Sequence, residues 1–379
     1  MWGHEDARRV LARALQAGTF PGALLLHGPR GVGKQRLALW AAQLLLCEAP
    51  DGEPCARCRS CHLAVGLQHP DLHWHFPLPR PKGVSADRLG DALEQERARR
   101  LEQLRAAPVR FMPSEEPVGI YLAAVRTLRR RAHIRPVMGE RQVFVLGNAE
   151  TLVPQEASPE AANALLKLLE EPPGGACFIL TASEPGRLLP TVRSRAVPFH
   201  VGPLPDETVR RFLEEETGVE PAAAERAARL AAGSIGRALG FLPDEEGAGP
   251  LTVLRRRALE VVGASLAPQR AGAFLAALSL PPTGARALVE LLDYIEEAIR
   301  DLAALAAGVP EQAINPDAAE LLGRVVRDGD VHPAAAARAQ AAVERARELA
   351  RGNVNPQLLM VGLTEELRRT LLRRPAPAC

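Results

Sequence analysis

The sequence predicts an α/β domain built on a parallel sheet and carrying a cysteine-rich module, followed by an all-helical remainder. Three observations predict it. Residues 28–35 (Gly28-Pro29-Arg30-Gly31-Val32-Gly33-Lys34-Gln35) follow the phosphate-loop pattern of Gly, four residues and Gly-Lys, set between an apolar strand and a helix. Two more apolar runs, 142–146 and 177–181, alternate with stretches of helical periodicity. From residue 251 onward the apolar positions recur only at helical spacing.

Length and composition bound the answer. A chain of 379 residues is long enough for two or three domains. Its 47% hydrophobic and 24% charged content is that of an ordinary globular protein, and abundant Ala and Leu favour helix. A net charge of +2 announces no global attraction to nucleic acid or membrane. The basic residues are nearly all Arg, with only Lys34, Lys82 and Lys167 as lysines, a bias read as compositional rather than functional. No apolar run reaches membrane-spanning length and the N-terminus lacks a signal-peptide pattern, so the expected location is cytoplasmic, with no membrane partner. Cysteines in that compartment are expected as metal ligands or free thiols rather than disulfides.

Residues 5–17 read as a helix closed by Gly18, with Val10, Leu11, Ala14 and Leu15 on one face. The strand 23–27, the loop and a helix from Lys34 to Leu46 follow. Gly28, Gly31 and Gly33 allow loop amides to approach phosphate oxygens, and Lys34 adds a positive charge. The Ser or Thr that would hold Mg²⁺ is replaced by Gln35. The loop is therefore either a working nucleotide site or a turn kept without its chemistry.

Cys47, Cys55, Cys58 and Cys61 are spaced C-x7-C-x2-C-x2-C, with Pro and Gly between them. Four thiolates at this spacing close a tetrahedral structural Zn²⁺ site, the reading preferred over reactive thiols or core cysteines. The two C-x2-C pairs share Cys58, which disfavours a redox role. Metal binding would fold an excursion too small to hold itself. His69, His73 and His75 raise the thought of a second metal, but a strand and turn leaving the module is the favoured reading. An insertion at about 77–115 contains a charged helix over 86–106 and receives no function.

Residues 117–135 read as an amphipathic helix with a basic end: Arg126, Arg129, Arg130, Arg131, His133 and Arg135. That end is either a phosphate contact or a solvated face. The strand 142–146 ends in Gly147-Asn148, where a phosphate-loop ATPase presents two acids, and Glu150 lies beyond the strand. Ser158-Pro159-Glu160 is a helix start, the helix 161–171 stops at Pro172-Pro173, and a buried strand 177–181 follows.

Asn163-Ala164-Leu165-Leu166-Lys167-Leu168-Leu169-Glu170-Glu171-Pro172-Pro173, followed by Thr191-Val192-Arg193-Ser194-Arg195, closely resembles the AAA+ clamp-loader subunits of bacterial DNA polymerase III. Four cysteines just after the phosphate-loop helix also fit that family. The resemblance covers the first 240 or so residues well and the helical remainder more loosely. It implies an AAA+ domain over 1–201, a helical lid over 202–242 and a helical collar over 251–379 that assembles the ring.

Within that family the gamma/tau subunits hydrolyse ATP, and the delta-prime branch has a degenerate site. The chain resembles the delta-prime branch, because Gln35, Gly147 and Asn148 supply no Mg²⁺ chemistry and Gly236, beside Arg237, stands where an active subunit presents an arginine to its own nucleotide. Productive ATP binding at Gly28, Gly31, Gly33 and Lys34 is not expected. Ser194-Arg195 matches the family's Ser-Arg-Cys motif, with Ala196 in place of Cys. In the family that arginine reaches the neighbouring subunit's ATP; the alternative is that Arg195 packs or pairs on the surface of its own chain. The implied partners are gamma/tau and delta subunits, and, through the complex, the sliding clamp and primer-template DNA. The alternatives are an active gamma-like ATPase and a stand-alone zinc-module nucleic-acid-binding protein.

Overall fold

The computed structural model describes residues 1–107, 118–152, 160–243, 247–267, 269–279, 285–350, 352 and 354–372. The expected helix start at Ser158-Pro159, the end of the insertion, part of the 243–250 linker, Asn353 and Cys379 lie outside them. The chain forms two compact units, one ending at Leu239 and the other running on from Gly240.

The first unit contains α1 (Glu5–Gln16), β1 (Ala23–His27), α2 (Lys34–Leu46), α3 (Arg59–Val65), β2 (Leu72–His75), β3 (Leu78–Pro79) and α4 (Leu89–Ala106). It continues through β4 (Val118–Gly119), α5 (Leu122–Ala132), β5 (Gln142–Leu146), α6 (Glu160–Glu170), β6 (Ala176–Ala182), α7 (Pro190–Arg193) and β7 (Val197–His200). Helices α8 (Asp206–Thr217), α9 (Pro221–Ala231) and the start of α10 (Ile235–Phe241), the elements of the expected lid, complete it.

Five strands form one parallel sheet in the order β2-β5-β6-β1-β7. Its central strands are continuous apolar runs because both faces are covered. On one face Leu25, Phe144 and Phe178 meet Val125 and Leu128 of α5 and Leu165 of α6; the two Phe rings stack at 5.1 Å. On the other, Leu24, Val143 and Ile179 meet Leu37, Ala41 and Leu44 of α2. The carboxyl ends of β1, β5 and β6 therefore converge beside the phosphate loop, the crevice where open α/β sheets place ligands.

Strand β7 has no counterpart among the predicted elements. It is an exposed edge strand containing Pro198, which breaks the usual apolar run. Helix α3 begins within the last three residues of what the sequence reads as an irregular excursion, 47–61, and runs past it, with Cys58 as its N-cap. The basic helix begins at Leu122 rather than 117, because Val118–Gly119 pairs antiparallel with Leu78–Pro79. That two-stranded ribbon clasps both ends of the insertion.

The second unit is a bundle of α11 (Pro250–Leu266), α12 (Arg270–Leu278), α13 (Ala285–Ala306), α14 (Ala319–Gly329), α15 (Pro333–Ala350) and α16 (Pro356–Leu371). Small side chains on the buried face of α15, including Ala335, Ala339, Ala342 and Ala346, permit close packing against α13 and α16. Asn355 caps α16 by accepting from the backbone N–H of Gln357 and Leu358. Among the described residues, no helix is long and apolar enough to cross a membrane.

Candidate functional site

The phosphate loop turns through left-handed backbone at Gly28, Gly31 and Gly33, and Gly33 precedes the first residue of α2. The loop is closely held by its own chain. Gly31 admits no side chain, since a Cβ there would lie 2.1 Å from Ser234 Oγ. The Gly236 N–H donates to the Gly31 carbonyl at 3.2 Å, so α10 starts directly on the loop. From the other side His4 Nε2 donates to the Val32 carbonyl at 2.6 Å.

Lys34 is only 5% exposed and is turned inward. Its Nζ donates to the Gly28 carbonyl at 2.9 Å, the Pro29 carbonyl at 2.6 Å and Ser183 Oγ at 3.0 Å. Those three bonds match the three donors of an ammonium group. Burial pulls the Lys34 pKa down to about 8, against the opposing pull of the Glu150 carboxylate. Glu150 is buried, and its Oε1 accepts from the Ser183 N–H at 3.0 Å.

Three residues interlock between the start of α2 and the end of β5. Gln35 Nε2 donates to Asn148 Oδ1 at 3.1 Å. A Cβ on residue 147 would lie 2.8 Å from Gln35 Cδ, so the Gln35 amide rests on a residue without a side chain. Asn148 takes left-handed backbone, and its N–H donates to the buried Thr181 hydroxyl at 3.0 Å. Gln35, Gly147 and Asn148, read separately along the sequence, are one contact in space.

The sulfurs of Cys47, Cys55, Cys58 and Cys61 all lie within 4.8 Å of one another. Backbone N–H groups aim at them: Cys55 at Cys47 Sγ (3.3 Å), Cys58 at Cys55 Sγ (3.4 Å) and Cys61 at Cys58 Sγ (3.3 Å). N–H groups of Arg57 and Cys58 hold the Cys55 thiol down to about 6, while burial pushes Cys61 up to about 12. An all-sulfur set this compact, with N–H groups ready to support thiolate charge, fits a metal ion such as zinc. Arg8 of α1 pairs with Glu53 at 2.8 Å, tying the cysteine-rich segment back to the domain.

The histidines do not join the cluster. Among the described residues, the four cysteines are the one group of three or more Cys, His, Asp or Glu side chains placed to share a metal. His73 and His75 are buried on β2, as the strand reading expects. Burial lowers their pKa values to about 4 and about 3, with nearby Arg97 and Arg131 adding to the shift. Asp71 accepts from the N–H groups of Val137 and Met138 at 2.7 and 2.8 Å.

The basic end of α5 divides. Arg131 turns toward Glu94 at 3.7 Å, whereas Arg129, Arg130 and His133 line an open groove of about 630 Å³ with Lys167 and Glu171.

Arg195 follows α7. Its Nε donates to Glu170 Oε1 at 2.6 Å, its NH2 also pairs with that oxygen, and its NH1 donates to the Thr191 carbonyl at 2.8 Å. Ser194 donates through Oγ to the same carbonyl at 3.2 Å. The Arg195 side chain remains 31% exposed. Sequence reading missed Ser183, Glu150 and Glu170 as partners, because each meets its counterpart across the fold; Glu170 alone carried a signal, lying within the segment that suggested the family.

The family described as DNA polymerase III, delta subunit, matches residues 3–205. The chain is 31% identical over 239 residues to DNA polymerase III subunit delta' of Escherichia coli, covering 63% of this chain and 59% of that one. It is 34% identical over 177 residues to the delta' subunit of Pseudomonas aeruginosa, covering 46% and 41%. It is 28% identical over 359 residues to DNA polymerase III subunit tau of Salmonella typhimurium, covering 92% and 47%. The chain thus spans between two-fifths and three-fifths of the length of these curated relatives. A gamma subunit-related protein of Thermotoga maritima is similar at 17% identity and a TM-score of 0.36, covering 96% of this chain and 99% of that one.

Proposed function

The chain belongs to the DNA polymerase III delta-subunit family, and on that premise we propose that it serves as the delta' subunit of a clamp loader, hydrolysing no ATP itself and lending Arg195 to a neighbour's ATP site. The interlock of Gln35, Gly147 and Asn148 carries the reading. It occupies the position between loop and strand end where a hydroxyl and two carboxylates would hold Mg²⁺ and orient water. The loop then acts as a joint between the sheet and the first turn of α10.

Arg195 supplies the remaining chemistry. A guanidinium delivered from one subunit stabilises the negative charge that spreads over the γ-phosphate as its bond to the leaving oxygen lengthens, an effect worth ~10³–10⁵-fold in rate. The neighbour would be a gamma/tau subunit, with a delta subunit completing the assembly. The sliding clamp and primer-template DNA would be engaged through the complex. Cys47, Cys55, Cys58 and Cys61 would hold one structural Zn²⁺, which supplies a rigid crosslink and takes no part in ATP hydrolysis.

The test has two arms. The purified chain with Mg²⁺ and ATP should show no turnover above background; robust Mg²⁺-dependent hydrolysis would overturn the stator assignment. In the complex reconstituted with gamma/tau and delta subunits, Arg195→Ala should leave assembly intact and lower ATP turnover.

A further inference from the structure

The two ends of α6 and α7 meet through one ion pair, and its geometry bears on how an arginine could act in trans. A guanidinium has five N–H donors. In Arg195 the Nε donor and one donor of NH2 go to a single oxygen, Glu170 Oε1, and one donor of NH1 goes to the Thr191 carbonyl. NH1 also donates to Ser194 Oγ at 3.4 Å, so one donor of NH2 is left and the group is held on both flanks. Glu170 Oε1 and the Thr191 carbonyl come from different elements, so the guanidinium plane is set by two anchors and not by a single swivelling contact.

We propose that Glu170 is the positioning residue for Arg195: it fixes the guanidinium plane so that the remaining NH2 donor of this partly exposed group can meet an anion brought by a neighbouring subunit. This rests on the reading of Arg195 as a residue acting in trans. The pair is partly exposed on both sides, with side chains 31% and 45% accessible. Such surface pairs contribute little to folding. Their value here is orientation, since an arginine side chain otherwise samples many rotamers and must be ordered at the moment of reaction. Glu170 touches neither ATP nor the reacting atoms and works only through Arg195.

The experiment is steady-state ATP hydrolysis by the reconstituted complex, with variants confined to this chain and assembly checked by size-exclusion chromatography. Glu170→Ala should lower the turnover number on the order of tenfold and leave KM for ATP unchanged. Glu170→Gln, which retains an acceptor oxygen, should recover most of the wild-type rate. Combined with Arg195→Ala, the loss of Glu170 should add nothing. A wild-type or raised rate in Glu170→Ala, or a further loss in the double variant, would overturn the positioning role while Arg195→Ala still slows turnover. No effect of Arg195→Ala would instead remove the underlying finger assignment. If Glu170→Ala does not assemble, Glu170→Asp gives the same decision: shortening the anchor should reduce the turnover number and not KM.

Discussion

Gln35 lies against Gly147 so closely that a single carbon added to residue 147 would come within 2.8 Å of the Gln35 amide carbon. The two positions constrain each other. Gly147→Ala should destabilise the chain by roughly 1–3 kcal/mol through overpacking. In a Gln35→Ala background the same substitution should cost markedly less, because the obstructing amide is gone. Urea midpoints of the four proteins give this coupling directly, and additive effects would contradict the interlock.

Lys34 bonds two loop carbonyls and Ser183. Lys34→Ala should lower stability by about 1–3 kcal/mol, since buried carbonyl acceptors lose their donor. ATP turnover by a complex assembled from this variant should stay within about twofold of wild type, given the small energies involved. A collapse of turnover with assembly intact would point to a nucleotide role for the loop.

The four-cysteine cluster predicts metal content. Protein purified without chelator should carry close to one zinc ion per chain by elemental analysis, and Cys58→Ser should lower that figure. Removal of the metal should make residues 47–61 the first site of limited proteolysis, because thiolate ligation would be their main source of order.

His73 and His75 predict acid sensitivity. In the folded chain they remain neutral down to about 4 and about 3, against an ordinary value of 6.5. Between those values the unfolded chain binds more protons, so stability rises with pH there. Their contribution is complete above about pH 6.5 and is lost as pH drops toward 4 and then 3. Denaturant midpoints measured from pH 8 to pH 4.5 should decline below about 6.5, and His75→Leu should flatten the decline.

The sheet core was legible because β1, β5 and β6 are buried on both faces and so read as uninterrupted apolar runs. The cysteine cluster was legible because its ligands lie close in sequence and their spacing is itself a geometric constraint. Other features depend on residues that meet only after folding. Glu170 reaches Arg195 across 25 positions, and Ser183 reaches Lys34 across 149. Neither spacing carries a pattern. Strand β7 hid behind Pro198, and the short β3–β4 ribbon offered too few residues to show any alternation.

That ribbon has a consequence for how this chain tolerates change. Pairing Leu78 with Gly119 and Pro79 with Val118 holds the two flanks of the insertion side by side. The entropy of closing a loop grows only with the logarithm of its length once its ends are fixed together. Residues added at 80–88, between the ribbon and α4, should therefore cost the sheet little, which makes that segment a natural position for a reporter tag.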